Sequence, residues 1–338
     1  MALTNRQIHL AARPKGLPKE SDFALVASEV PALQEGQFLV RTNYVSVDPY
    51  LRGLMNEGPS YMNPFNVGDL ILAGAAGTVL ESRHPDYAVG ETLYGLWGWQ
   101  DYAVSDGSNI YQFDTSLAPL STSLGILGMP GLTAYFGLLE IGRPRPGETV
   151  FVSGAAGAVG SVVGQLAKIQ GCRVAGSAGS AEKVAFLKTI GFDAAFNYKD
   201  VGDYAAALRE ACPNGIDVYF DNVGGALTDA VFPQLNPEAR IVVCGQIDQY
   251  NALAPAQGPR LLWHLITKRA RAEGFLVFQF APRYEEAQNA LARWIAEGRL
   301  TWRETIVDGL ENTPRAFIGL FKGENLGKQL VRVAEPGA

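Results

Sequence analysis

Residues 152–171 read VSGAAGAVGSVVGQLAKIQG, and their glycines stand where phosphate chemistry would need them. Aligned on Gly157 and Gly160, the first glycine of a G-x-G-x-x-G falls on Ala155; counted from Gly154 the pattern is G-x-x-G-x-x-G. A glycine at 157 lets the backbone approach a pyrophosphate, where a Cβ would take the ligand's place. Gly160 lets a helix pack tightly on the preceding strand. The first turn of that helix would offer Ala158, Val159 and Ser161 beside an N-terminus whose free N–H groups and dipole favour an anion. Val159, Val162, Val163, Leu166 and Ile169 then follow the spacing of a buried helix face, and Gly171 suits its C-cap. Glycine-rich turns also occur in strand–helix units that bind nothing. Here further such units follow, which makes this a dinucleotide site.

The next strand indicates which dinucleotide. NAD sites place an acid at its end, about 20 residues on, against the ribose hydroxyls. Here CRVAGSAGS ends without a carboxylate, and Lys183 follows. The missing acid removes a repulsive charge, and a lysine can meet a 2′-phosphate, so NADP(H) is expected. A solvated helix-surface lysine is the plainer use of Lys183.

Other chemistries lack their residues. His9, His84 and His264 with Cys172, Cys212 and Cys244 form no ligand cluster, and no H-E-x-x-H occurs, so no metal is expected. No tyrosine is followed four residues later by lysine, and no G-x-S-x-G elbow is present. Three widely spaced cysteines fit a reducing cytoplasm better than a disulfide framework. A formal net charge of -6 argues against nucleic-acid or anionic-membrane partners. No run of 18 apolar residues suggests a membrane span, and the first residues lack a signal peptide's apolar stretch.

The elements that must position these residues fall into two textures. At 338 residues the chain suits two domains. Its first part has short strands such as QFLVRTNYVSVD and LILAGAAGTVLES, broken by turns such as NEGPS, as in an irregular antiparallel β domain. From about Leu124, apolar strands alternate with helical patterns, as parallel βαβ units do. The expected series is TVFVSG and its helix, CRVAGSAG and AEKVAFLKTIG, AAFNYK and VGDYAAALREACP, IDVYFDNVG and ALTDAVFPQLN, then ARIVVCGQI. A helix over residues 258–268, a strand RAEGFLVFQF and a helix RYEEAQNALARWIAEG follow. The tail returns to strand–helix–strand.

Together SVDPYLRG, SGAAGAVGSVVGQLAKIQGCRVAGSAGSAEKVAFLK, GFDAAFNYK, YFDNVGG and GENLGK resemble one family over nearly the whole chain. It is the zinc-independent branch of the medium-chain dehydrogenases/reductases that includes prostaglandin reductase, alkenal double-bond reductases and curcumin reductase. The resemblance implies an α/β fold: a Rossmann doubly wound parallel sheet over residues 124–299, and a GroES-like, irregular β-rich catalytic domain from residues 1–123 and 300–338. It implies NADPH, homodimers paired through the strand GFLVF, and reduction of the carbon–carbon double bond of α,β-unsaturated ketones and aldehydes.

Carried over by position, Gly157, Ala158, Val159, Gly160 and Ser161 lie along the pyrophosphate, and Lys183 and Tyr198 at the 2′-phosphate. Asn222 ends a strand at the cofactor, and Cys244 and Tyr250 bracket a loop over it. The backbone of Phe275, Leu276 and Val277 holds the nicotinamide amide, and Asn325 reaches the cofactor from the tail. Each residue type also has a plainer use: Cys244 as a small buried residue, Phe275 to Val277 as ordinary strand, Tyr198 as a loop aromatic, Asn222 and Asn325 as turn caps. One departure stands out: RLLWHLITKRARAEGF has no tyrosine where several members have one, and carries Trp263, His264 and Thr267 instead.

The implied chemistry is hydride delivery to the β-carbon with negative charge gathering on the carbonyl oxygen, which a nearby donor would stabilise. Tyr50 in DPYLRG is the protein candidate; the nicotinamide ribose hydroxyl and water are the other donors, and a cleft-wall aromatic is the plainer role for Tyr50. Tyr61, Tyr94, Trp97 and Trp99 are candidates to line an apolar pocket. A quinone reductase and a noncatalytic NADPH-binding protein are the competing functions.

Overall fold

Glycine and proline turns cut the first part of the chain into strands too short to cover themselves, so they pair into sheets. The computed structural model describes residues 3–58 and 60–335. Its contacts divide the chain into two units, Met1–Gly125 with Glu304–Ala338, and Ile126–Arg303.

In the first unit β1 (Thr4–Leu10) and β2 (Phe23–Glu29) form an antiparallel pair. The larger sheet uses β3 (Phe38–Ser46), β4 (Gly74–Ser82), β5 (Thr92–Leu96), β6 (Tyr102–Ser105) and β7 (Ile110–Gln112). A single turn of helix, α1 (Leu51–Leu54), follows the DPY sequence.

The second unit is built of parallel units. Helix α2 (Met129–Phe136) widens into a π-helix, Gly137–Gly142. Then come β8 (Thr149–Val152), α3 (Gly160–Ile169), β9 (Arg173–Ala178), α4 (Ala181–Thr189), β10 (Ala194–Asn197) and α5 (Tyr204–Ala211). They are followed by β11 (Ile216–Asp221), α6 (Gly225–Val231), β12 (Leu235–Val243), α7 (Leu262–Lys268), β13 (Arg271–Gly274) and α8 (Tyr284–Ala296). The strand order is β10-β9-β8-β11-β12-β13, all parallel. This is the doubly wound Rossmann order, with its reversal between β8 and β11. All four residues of β8 are buried because both sheet faces are covered, whereas those of edge strand β13 are exposed. Phe151 stacks on both Phe196 and Tyr219 in this unit's core.

The tail adds β14 (Glu304–Asp308), α9 (Thr313–Lys322) and β15 (Lys328–Arg332). It returns to the first unit's sheet, whose order is β14-β15-β3-β4-β5-β7, with β6 also on β3. Phe317 of α9 packs edge-on against Phe23 and Trp99, so the unit's core draws on both ends of the chain.

Two expectations change. The helix expected over residues 258–268 occupies only Leu262–Lys268. The strand RAEGFLVFQF stops at Gly274, and Val277–Arg283 forms a 3-10 helix. Most of the expected pairing strand GFLVF is therefore not strand. Among the described residues, no helix is long and apolar enough to cross a membrane.

Candidate active site

The glycine turn sits at the carboxyl end of β8, beside the sheet's reversal. Gly154 takes φ +58, a left-handed conformation that favours glycine there. Gly157 donates its N–H to the Gly154 carbonyl at 3.1 Å, and Ser161 to the Gly157 carbonyl at 3.1 Å. The two retained glycines do different work. A Cβ on Gly160 would lie 2.5 Å from the Gly154 oxygen and 2.8 Å from Ala155 Cα, so this position seats the helix on the turn. A Cβ on Gly157 would meet only the Gly154 oxygen, at 3.3 Å, leaving its outer side open. Gly157, Ala158 and Val159 are half-buried on the rim, whereas Gly160 and Ser161 are buried.

At the end of β9, the Ser180 hydroxyl caps α4 by accepting from the Lys183 N–H at 3.3 Å. Tyr198 lies across Gly179: a Cβ there would stand 2.9 Å from the tyrosine oxygen. The Lys183 ammonium is pulled below the ordinary lysine range, first by partial burial and then by the charge of Lys199. Ser177 is fully buried, and its hydroxyl has no hydrogen-bond partner among the described residues. Two mutually repelling cations and no acid at the strand end fit the extra phosphate of NADP(H). The open side of Gly157 and the α3 N-terminus fit its pyrophosphate. The residues present suit the cofactor.

Across the reversal, Asp221 ends β11 and is 1% exposed. Its carboxylate accepts from the Ser153, Tyr219 and Thr228 hydroxyls, the Gln246 amide, and the N–H groups of Val223 and Gly224, at 2.8–3.0 Å. Among the described residues no cation pairs with it, and this many donors satisfy a buried carboxylate. Asn222 donates its N–H to Ser153 Oγ at 3.0 Å and its side-chain amide to the Ser153 carbonyl at 2.8 Å. It thus ties β11 to the glycine turn. Cys244 and Gly245 donate their N–H groups to the Asp221 carbonyl. The Cys244 thiol is pushed up to about 12 by burial, which makes it no thiolate at neutral pH. Tyr250 accepts from the Gln246 N–H at 3.3 Å, and burial raises its phenol. Sequence reasoning named Asn222 but passed over Asp221, the hub of these bonds; an acid closing an apolar strand was the available signal.

After β13, Phe275 is half-buried, Leu276 exposed and Val277 buried. Leu276 donates its N–H to Gln279 Oε1 at 3.3 Å and accepts from the Gln279 N–H at 3.1 Å. Both polar groups of its backbone therefore have protein partners.

Tyr50 and Asn325 belong to the other unit. Tyr50 packs on the core beside α1, and burial, then the charge of Asp48, holds its phenol well above the ordinary tyrosine range. Asp48 is itself paired with Lys328 of β15 at 2.9 Å. Asn325 donates its amide to the Gly327 carbonyl at 2.8 Å, the turn-capping role. Of the pocket candidates, Trp97 and Trp99 are buried in the core, Tyr94 packs on Tyr111 and Phe113, and Tyr61 is exposed.

Two family models match: the N-terminal domain of oxidoreductase over residues 6–113, and zinc-binding dehydrogenase over residues 158–297. A putative NADP-dependent oxidoreductase of Bacillus subtilis, YfmJ, is 51% identical across 99% of this chain and 100% of its own. The chain belongs to the medium-chain dehydrogenase/reductase family. Its branch contains the curcumin, 2-alkenal and prostaglandin reductases. The NADPH-dependent curcumin reductase of Escherichia coli is 46% identical over 98% of this chain and 97% of its own. The structure of CurA from Vibrio vulnificus in complex with NADPH superposes with a TM-score of 0.93, at 45% identity, covering 98% of this chain and 100% of that one. Despite the second family model's description, no group of three or more His, Cys, Asp and Glu residues among those described could hold a metal ion.

Proposed function

We propose that the chain is an NADPH-dependent reductase of the carbon–carbon double bond in α,β-unsaturated ketones and aldehydes, working without zinc. The observation that carries the cofactor half is the end of β9, a strand that closes without an acid of its own, where Tyr198 lies across Gly179 and Lys183 and Lys199 lie close enough to repel. The substrate half is supported by relatives named for reducing curcumin and 2-alkenals.

When bound, NADPH supplies the hydride. The chain's residues do the rest. Lys183 and Tyr198 hold the 2′-phosphate, and the open face of Gly157 with the N–H groups of Ala158 and Val159 receives the pyrophosphate. Asp221, through Asn222 and Ser153, keeps β11 and the glycine turn in one register. Tyr50, protonated throughout the working pH range, donates to the carbonyl oxygen as negative charge gathers there.

The acting form is a cytoplasmic homodimer. Edge strand β13 leaves its residues exposed, and α7 before it exposes Leu262, Trp263 and Ile266 at 74%, 65% and 69%. A sheet edge beside large exposed apolar side chains is what a second copy would cover. Light scattering on the eluted protein should give twice the chain mass, and a monomer would remove this part.

The deciding experiment follows NADPH consumption against a panel of enones, enals and quinones, with NADH in parallel. Enone and enal turnover with NADPH, and little with NADH, is expected. Fast quinone turnover with inert enones would make the chain a quinone reductase, and tight NADPH binding with no oxidation by any panel member would make it noncatalytic.

A further inference from the structure

The π-helix after α2 has a use that the reading above leaves open. At its far end Arg143 donates its N–H to the Leu138 carbonyl at 2.8 Å, the five-residue step that widens the helix. Its last carbonyls are met by arginines from the sheet: Arg271 Nη2 reaches the Ile141 oxygen at 2.7 Å, and Arg240 Nε the Gly142 oxygen at 2.8 Å. Arg271 opens β13. The segment leaving β13 then returns to the start of the same π-helix. A Cβ on Gly137 would lie 2.6 Å from Phe275 Cζ, 2.8 Å from Phe220 Cε2 and 3.0 Å from Phe220 Cζ.

Beyond Phe275, Val277 is buried in a cluster with Leu132 and Phe136 of α2, and Phe280 stacks on Phe136 with centroids 4.6 Å apart. The strand and its exit are thus held by Arg271 before, Phe275 in the middle, and Val277 and Phe280 after. Phe220 is fully buried, whereas Phe275 is half-buried. A side chain at 137 would press on both rings, and Phe275 is the one with room to move outward.

We propose that Gly137 is a positioning residue: by accepting the Phe275 ring on bare helix backbone, it sets the depth of the Phe275, Leu276 and Val277 segment that holds the nicotinamide. The inference rests on the proposed cofactor, NADPH, and on the family resemblance, which implies that the nicotinamide lies on that segment.

The test compares two probes on the whole protein. NADPH uses both halves of the site, whereas adenosine 2′,5′-bisphosphate uses only the half at Gly157, Lys183 and Tyr198. Gly137→Ala pushes the ring out, and Phe275→Leu takes its end away without crowding. Each should weaken NADPH binding by roughly 10-fold and leave the bisphosphate within about twofold, as overpacking or unseating one contact would. The double variant should lose less than the product of the two single losses, because the shorter side chain removes the overlap with Phe275, although that with Phe220 remains. Unchanged NADPH binding in both single variants would overturn the proposal. So would parallel weakening of both probes, the mark of a merely structural role. Should Gly137→Ala fail to fold, Phe275→Leu gives the same comparison alone. Wild-type protein that binds NADPH without reducing any enone removes the reductase reading but leaves the probe comparison to decide this one.

Discussion

Lys328 Nζ stands 2.9 Å from Asp48 Oδ1, with the two side chains 4% and 8% exposed, although 280 residues separate them in the chain. The lysine also donates to the Val47 carbonyl at 3.0 Å, and the Ser46 hydroxyl bonds the other carboxylate oxygen. The pair locks β15 of the tail to the turn that leads into Tyr50. Removing one partner strands a buried charge. Lys328→Met should therefore lose about 3–5 kcal/mol of unfolding free energy in urea. Asp48→Asn combined with Lys328→Met should recover part of that loss. A single-variant loss below about 1 kcal/mol would mean that the pair behaves like a surface ion pair.

The two glycines of the nucleotide turn should separate stability from binding. Gly160→Ala drives a Cβ into backbone at 2.5 Å and should lower the melting temperature, at a cost of about 1–3 kcal/mol. Gly157→Ala should destabilise far less, since its Cβ meets only the Gly154 oxygen at 3.3 Å, but should bind NADPH several-fold more weakly because that Cβ would occupy the open face proposed for the pyrophosphate. Equal melting temperatures for both variants would contradict the packing described at Gly160.

Lys183→Ala should raise the KM for NADPH by about 10- to 100-fold, the worth of one charge-assisted hydrogen bond, and leave NADH nearly unaffected. Burial and Lys199 lower the ammonium's pKa, so it sheds its proton at a lower pH than an ordinary lysine. NADPH affinity should accordingly begin to fall on the alkaline side before the ordinary lysine range of about 10.4, while NADH affinity stays level. Identical pH profiles for the two cofactors would separate Lys183 from the phosphate.

Tyr50→Phe should lower kcat with an enone by about 100-fold while changing KM little, as the loss of one donor to a developing oxyanion does. The wild-type rate should show no alkaline loss from this phenol up to about pH 10, since burial and the Asp48 charge raise its pKa above the ordinary value. Full turnover by the variant would take Tyr50 out of the mechanism and leave the cofactor ribose hydroxyl or water as donor.

The Rossmann half of the fold was legible because its signals are local. Apolar strands alternate with amphipathic helices, and each expected strand from TVFVSG to ARIVVCGQI is present. The segment after β13 was not legible. An apolar run such as FLVFQF reads as strand from composition alone, yet Phe275, Val277 and Phe280 find their cover on α2 and the π-helix. Periodicity cannot tell which neighbour will bury a short apolar run. Lys183 and Gly157 could be proposed because a missing acid and a glycine spacing can be seen in a single stretch. Asp221 was missed because its role lies in donors gathered from Ser153, Thr228 and Gln246.

The sequence by itself determined the alternation of elements, the glycine turn after β8 and the absence of an acid at the end of β9, all set by residues within a few positions of one another. Tertiary structure alone decided the partners: Lys328 with Asp48, Asp221 with its ring of donors, and Phe275 with Gly137. The reason is burial. A charge or ring taken out of water must be satisfied by whatever the fold brings beside it, and chain spacing does not encode that neighbour.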